Sequence, residues 1–181
     1  MKNIIIFGQP GTDKEIISKK ISQEYDLNHI SIKDIIEKNK KEKTKIGILS
    51  NKMFLPDNVI NEMIKKEVIK NKNSNGIIFS GFPRTISQAK MINQLLFLKK
   101  TPISKVIQLD CDKWLAIDKI NKTNNEKYKN SETFEAKWNI YKTESTTILN
   151  YFKELNLVEK IDASNDIDVV YNDVKLIIKD I

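Results

Sequence analysis

The stretch IIIFGQPGTDKEI, residues 4–16, decides how this 181-residue chain folds. Its apolar beginning, Ile4–Phe7, predicts a β-strand, and the residues from Ile17 onward predict a helix. A strand, a glycine turn, a lysine and a helix are together the context of a phosphate-binding loop, or P-loop. In such a loop, small residues allow backbone N–H groups to surround phosphate, and a Ser or Thr hydroxyl binds Mg²⁺. The stretch therefore predicts a P-loop domain with Gly8 and Gly11 at the turn.

Two acidic residues interrupt this loop. Asp13 stands where the glycine before Lys14 belongs, and Glu15 follows the lysine directly. Two unit charges about 4 Å apart interact by ~4 kcal/mol at an effective dielectric constant near 20, so neither carboxylate favours a bound phosphate. The stretch keeps the glycines and the lysine of an anion-binding loop, but its two carboxylates reduce the positive charge around the lysine.

The composition is that of one soluble globular domain, with 40% hydrophobic and 30% charged residues. No apolar run approaches the ~20 residues that span a bilayer, so we expect no membrane segment. Met1–Asn3 leads straight into the first strand, and we therefore expect no signal peptide. The single cysteine, Cys111, excludes an internal disulfide and favours an intracellular, reducing compartment, either cytoplasmic or organellar.

The net charge of +7 would suit a nucleic-acid or other polyanion partner. The basic residues are nearly all lysine, however, and Arg84 is the only arginine. No interleaved aromatic side chains mark a base-stacking platform. A solvated lysine surface is the favoured interpretation, and an RNA-binding module is the alternative.

Apolar runs and helical patterns alternate along the rest of the chain. Such alternation is typical of a parallel sheet covered by helices on both sides, which binds ligands beyond the carboxyl ends of its strands. The other predicted strands are Asn28–Ser31, Gly76–Phe79, Val106–Leu109 and Leu157–Ile161, and the clearest helices are Asp57–Lys70, Ser87–Leu98, Glu132–Leu155 and Asp166–Ile181. Trp114 and Trp138 lie on helical patterns, and we expect both to pack between helix and sheet. Cys111 and His29 are expected to have structural roles.

Three further motifs follow the loop in order: His29–Asp34 (HISIKD), Leu55–Asp57 (LPD) and Ser80–Ala89 (SGFPRTISQA). With them the chain resembles, over its whole length, the short-lid adenylate kinases of the nucleoside monophosphate kinase family. The resemblance implies phosphoryl transfer between ATP and AMP. It also implies a three-layer α/β/α fold with a five-stranded parallel sheet. The core would comprise residues 1–31, 61–120 and 132–181, with an AMP-binding insert at about 32–60 and a short lid at about 121–131.

The chain departs from the family pattern at several functional positions. Ile16 replaces the hydroxyl residue expected on Mg²⁺, and Ser80 replaces the acid that precedes Gly-Phe-Pro-Arg-Thr. Glu37 replaces an arginine that grips the AMP phosphate, and the lid region, residues 121–129 with Lys137, contains no arginine. Phosphoryl transfer depends almost entirely on positioning and charge stabilisation, so these losses predict a pseudoenzyme.

The positions that still match the family are the candidate ligand-binding residues. By the resemblance, Lys14 and Arg84 are the remnants of the catalytic set, and Arg84 and Gln88 would contact the AMP phosphate and adenine. A purely structural role is the alternative for each of these residues. The full candidate set is Gly8, Gly11, Lys14, Asp34, Arg84 and Gln88, with no metal ligand.

The favoured function is thus an impaired adenylate-kinase-like protein. It would serve as a subunit of a larger protein assembly or as a regulator that binds AMP or ADP. ATP and AMP are the candidate ligands, and Mg²⁺ binding is expected to be weak or absent. A divergent active kinase that uses lysines is the main alternative.

Overall fold

The computed structural model describes residues 1–50, 55–122 and 131–181. Five parallel strands form one sheet in the order β2-β3-β1-β4-β5. The P-loop strand β1 is therefore central, and β3, the strand that ends at Ser80, lies directly beside it. The strands are β1 (Lys2–Gly8), β2 (Asn28–Ser31), β3 (Gly76–Ser80), β4 (Ile103–Asp110) and β5 (Val158–Asp162).

Helices connect the strands and cover both faces of the sheet, because parallel neighbours require crossover connections. Short α2 and α3 form an insert between β2 and α4. In chain order the helices are α1 (Lys14–Glu24), α2 (Ile32–Lys41), α3 (Lys45–Ser50), α4 (Asp57–Lys70), α5 (Ile86–Leu98), α6 (Lys113–Lys122), α7 (Ser131–Glu154) and α8 (Ile167–Lys179).

Each face of the sheet has its own apolar core. Alternate side chains of β1 point to opposite faces: Ile4 and Ile6 into one core, Ile5 and Phe7 into the other. The first core is completed by α1, α6, α8 and the beginning of α7. The second is completed by α4, α5 and the later part of α7. The continuous apolar sequence of β1 follows from burial on both faces.

The predicted fold class is confirmed, and the predicted strands and helices are all present with small shifts at their ends. The first residues of the predicted lid, Asn121 and Lys122, belong to α6, and its last, Ser131, begins α7. The rest of the predicted lid, residues 123–130, lies outside the described residues. In the described part of the chain, no helix is long and apolar enough to cross a bilayer.

The prediction for Trp114 is wrong. Trp114 is 67% exposed, whereas Trp138 is buried and its ring packs against that of Phe134. The reason is the orientation of α6, which turns Ala116 and Ile120 toward the sheet and leaves Trp114 on the opposite face. Cys111 packs in the first core, as expected, and burial raises the pKa of its thiol to about 11.

Candidate functional site

The turn after β1 has the close backbone packing of a phosphate-binding loop. Gly11 has φ +89°, and a Cβ at this position would lie 2.8 Å from the carbonyl oxygen of Ala116 in α6. A Cβ on Gly8 would lie 2.3 Å from Oγ1 of Thr12. Both glycines are therefore required by neighbouring atoms, and the turn leads directly into Lys14, the first residue of α1.

Asp13 adopts the backbone conformation that glycine ordinarily supplies. Its φ is 54° and its ψ is 23°, in the left-handed region that costs an L-residue roughly 1–2 kcal/mol, less for Asp and Asn. It precedes α1 without forming a side-chain cap. Burial raises the pKa of the Asp13 carboxyl, and the nearby charges of Lys119 and Lys14 oppose this rise. The start of α1, which would attract an anion, thus has a partly desolvated carboxyl beside it.

The first turn of α1 offers few oxygen ligands for a metal ion. Ile16, in the position of the expected hydroxyl residue, is 49% exposed and has no side-chain oxygen. Among the described residues, no group of three or more His, Cys, Asp or Glu side chains is placed to hold a metal. Mg²⁺ usually keeps several waters and binds through one or two carboxylates together with substrate phosphates, so at this turn it would lack a side-chain hydroxyl ligand and would depend mainly on a bound nucleotide.

Glu15 turns away from the loop and contacts the end of β3. Its Oε2 accepts a hydrogen bond from Ser80 Oγ at 2.9 Å, and Ser80 is fully buried. His29 Nε2 lies 2.7 Å from the same hydroxyl oxygen. Because a carboxylate only accepts, the hydroxyl proton points to Glu15, and Nε2 of His29 must carry the proton of the second bond. Burial lowers the pKa of His29, against the opposing charges of Glu15 and Asp34.

Arg84 is exposed and lies on the turn that follows β3. Its Nε donates to the carbonyl oxygen of Gly81 at 2.9 Å. Within the described residues no carboxylate lies within 4 Å of its guanidinium group. Glu144 of α7 is close enough for the Arg84 charge to oppose the burial that raises the Glu144 pKa. The guanidinium therefore keeps donors available for an anion.

Gln88 is buried, 1% exposed, and both groups of its amide have partners in the protein. Its Nε2 donates to Asp57 at 2.7 Å, and its Oε1 accepts from the Arg84 backbone N–H at 2.8 Å. Asp57 also accepts from the hydroxyl of Thr85, the residue that caps α5. Each group can form one further hydrogen bond, so contact with an adenine would require this buried amide to become accessible.

The start of α2 brings the last candidate residue to the same edge of the sheet. Ser31 caps the helix by accepting from the Asp34 backbone N–H at 3.3 Å, and the Asp34 side chain is exposed in the first turn. Glu37, which stands where the resemblance places an arginine, has Lys33 3.6 Å away. A lysine one turn earlier thus offsets the reversed charge, although both side chains are half-exposed and the pair contributes little.

All the predicted site residues lie at or beyond the carboxyl ends of β1, β2 and β3. Gly8 is the last residue of β1, Gly11 and Lys14 follow it, and Arg84 and Gln88 follow the adjacent β3. Sequence reasoning missed the parts played by Glu15 and Asp57. The signal for Glu15 was available, since positions 15 and 80 both depart from the family pattern, but nothing local indicates that the two residues touch.

Together, these features define a P-loop α/β protein of the nucleoside monophosphate kinase class. They are the central strand β1, the glycine loop after it and the arginine turn after the neighbouring strand β3. A family profile described as adenylate kinase matches residues 6–157. An adenylate kinase from Phocaeicola vulgatus is 28% identical, with 96% of each chain covered. One from Azobacteroides pseudotrichonymphae is 31% identical, with 96% of this chain and 95% of the relative covered. One from Parabacteroides distasonis is 31% identical over 84% of each chain. The chain belongs to the adenylate kinase family.

Proposed function

We propose that this chain binds a nucleoside monophosphate at the Arg84 turn and catalyses phosphoryl transfer poorly or not at all. It would act as an AMP- or ADP-responsive subunit of a larger assembly. The observation that carries the proposal is Asp13, whose partly buried carboxyl stands at the start of α1. A triphosphate would meet this negative charge where the loop should supply only N–H donors.

The metal side of the site supports the same proposal. The Ile16 side chain has no oxygen, and the Ser80 hydroxyl is already bonded to Glu15 and His29. Losing one preorganised donor costs roughly 10²–10³ in rate, although such losses do not simply add. The exposed Arg84 guanidinium, in contrast, retains donors that match a monophosphate bidentately.

Thermal unfolding with AMP, ADP, ATP and diadenosine pentaphosphate, each with and without Mg²⁺, tests the proposal. AMP at 100 times its dissociation constant should stabilise by about 2.7 kcal/mol, roughly a 5–10 °C shift for a chain of this length. The shift should be independent of Mg²⁺ and should be lost in Arg84→Ala. Rapid, Mg²⁺-dependent formation of ADP from ATP and AMP by the pure protein would overturn the catalytic half. No shift with AMP at millimolar concentration would overturn the binding half.

A divergent active kinase is the second candidate, and the contact between Glu15 and Ser80 favours it. The acid that the family pattern places at position 80 is absent, but the carboxylate of Glu15 lies within 2.9 Å of the Ser80 hydroxyl. Under this alternative Asp13 is the principal obstruction. Asp13→Gly combined with Ile16→Thr, with Glu15 retained, should then raise the rate of ADP formation at least tenfold. An unchanged rate would count against this candidate.

A further inference from the structure

Hydrogen bonds join the start of α1 to the last residues of β3 and β2. Glu15 Oε2 accepts from the Ser80 hydroxyl at 2.9 Å, and His29 Nε2 lies 2.7 Å from that oxygen on the other side. The carboxylate also faces the turn, because a Cβ built on Gly81 would lie 3.8 Å from Glu15 Oε1. Three neighbouring elements, α1, β3 and β2, therefore meet at one buried hydroxyl.

The connection continues from Ser80 through the backbone of Gly81 to the arginine. Gly81, the residue after Ser80, has φ +66°, and its carbonyl oxygen accepts from Arg84 Nε at 2.9 Å. The turn has little other anchorage for the guanidinium, which is exposed and has no carboxylate within 4 Å in the described part of the chain. Gln88 holds the Arg84 backbone N–H. What holds Ser80 and Gly81 sets the direction of the guanidinium through its bond to the Gly81 carbonyl.

We propose that Glu15 is a positioning residue. It holds the Ser80–Gly81 turn and thereby orients the Arg84 guanidinium toward the monophosphate that binds at this turn. Glu15 does not touch the anion; it acts through the Ser80 hydroxyl and the Gly81 carbonyl. The proposal rests on the proposed function only for the identity of the anion, a monophosphate. The orientation of Arg84 can be measured without any ligand.

The chain contains a single arginine, so its Nε–H gives one assigned nitrogen-15 signal. Glu15→Gly removes the acceptor, and Ser80→Ala removes the donor from the opposite side. In both variants the Arg84 Nε–H should exchange with water about fivefold faster, the factor expected from loss of a typical hydrogen bond. Glu15→Gln is the matched control, because its amide oxygen can still accept from Ser80, and its exchange rate should equal that of the unmodified protein.

A rescue variant separates positioning from general loosening of the fold. Ser80→Asp in the Glu15→Gly background returns a carboxylate to the end of β3, where His29 can donate to it, and should restore slow Nε–H exchange. Backbone amides of the buried strand β1 should exchange equally slowly in every variant. The proposal is overturned if Glu15→Gly leaves the Nε–H signal unchanged, if Glu15→Gln speeds its exchange as much, or if the rescue variant stays fast.

Calorimetric titration with AMP then tests whether the positioning role of Glu15 affects the affinity for the ligand. Glu15→Gly should weaken AMP about fivefold, and Glu15→Gln should bind AMP at least as tightly as the unmodified protein because it removes a negative charge. In an Arg84→Ala background the two Glu15 variants should bind AMP equally weakly. Equal weakening by Glu15→Gly in both backgrounds would overturn the route through Arg84. A failure of the unmodified chain to bind AMP would contradict the proposed function, while the Nε–H result would still decide the role of Glu15.

Discussion

Asp13 combines a backbone suited to glycine with a charge that its surroundings disfavour. Burial raises the pKa of its carboxyl above the ordinary value of 3.8, so the folded protein binds this proton more readily than the unfolded chain does. Ionisation of Asp13 therefore destabilises the fold, fully at pH values above the raised pKa. The destabilisation fades as the pH falls and disappears only well below pH 3.8, where both the folded and unfolded chains are protonated.

Asp13→Asn should accordingly raise the thermal midpoint at pH 7, because asparagine also tolerates the left-handed conformation and carries no charge. The gain should shrink as the pH falls and be absent only well below pH 3.8. Thermal unfolding of both proteins across this range measures it. A lower midpoint for Asp13→Asn at pH 7 would mean that Lys14, Lys119 and the helix dipole outweigh the burial.

His29 makes a second pH-dependent contribution, of opposite sign. Burial lowers its pKa below 6.5, although Glu15 and Asp34 favour the charged form and Lys19 opposes it. The contribution to stability is present above pH 6.5 and is lost as the pH falls through the folded pKa, because the unfolded chain binds the proton more readily. His29→Gln keeps an N–H donor for Ser80 and should flatten the fall in stability between pH 7.5 and 5.5 measured in urea. An identical fall in the variant would contradict this assignment.

At the scale of elements, one carboxylate joins the first residues of α4 and α5, which also pack through the second core. Asp57, the first residue of α4, accepts from Thr85 and Gln88 at the start of α5. Gln88 in turn accepts from the Arg84 backbone. The arginine turn is therefore fixed on one side by this junction and on the other by Glu15.

Asp57→Ala should destabilise the protein by about 1–3 kcal/mol, because it leaves the buried Gln88 amide without an acceptor. Glu62→Ala on the same helix is the control. Glu62 forms an exposed pair with Lys65 at 2.9 Å, and its loss should cost only about 0.3–0.5 kcal/mol. Urea denaturation of both variants compares the two costs. Equal costs would mean that water replaces Asp57 as the acceptor for Gln88.

At the scale of the whole molecule, the two tryptophans report on different environments. Trp138 lies in the first core, whereas Trp114 is 67% exposed on α6, the helix that contacts Gly11 through Ala116. Acrylamide should therefore quench one fraction of the native fluorescence readily and leave the other protected. Trp114→Phe should remove the accessible fraction and Trp138→Phe the protected one. A single accessible population in the native protein would contradict the placement of Trp138.

The sequence by itself determined the fold class, the order of the elements and the family, because these follow from local signals. The apolar run of β1, the glycines at positions 8 and 11 and the GFPRT motif each need only near neighbours in the chain. The bounds of α4 could be assigned exactly as they occur, since Pro56 and an acidic first residue mark its start.

Only the tertiary structure decided which of the altered residues touch. Positions 15 and 80 are 65 residues apart, and their contact exists because β1 and β3 are adjacent and parallel, which brings the ends of both strands to one edge. The burial of Gln88 and the exposure of Trp114 were likewise decided by tertiary packing, in this case of the helices that carry them. Helical spacing shows which side chains share a face, but the direction of that face depends on how the helix packs against the rest of the fold.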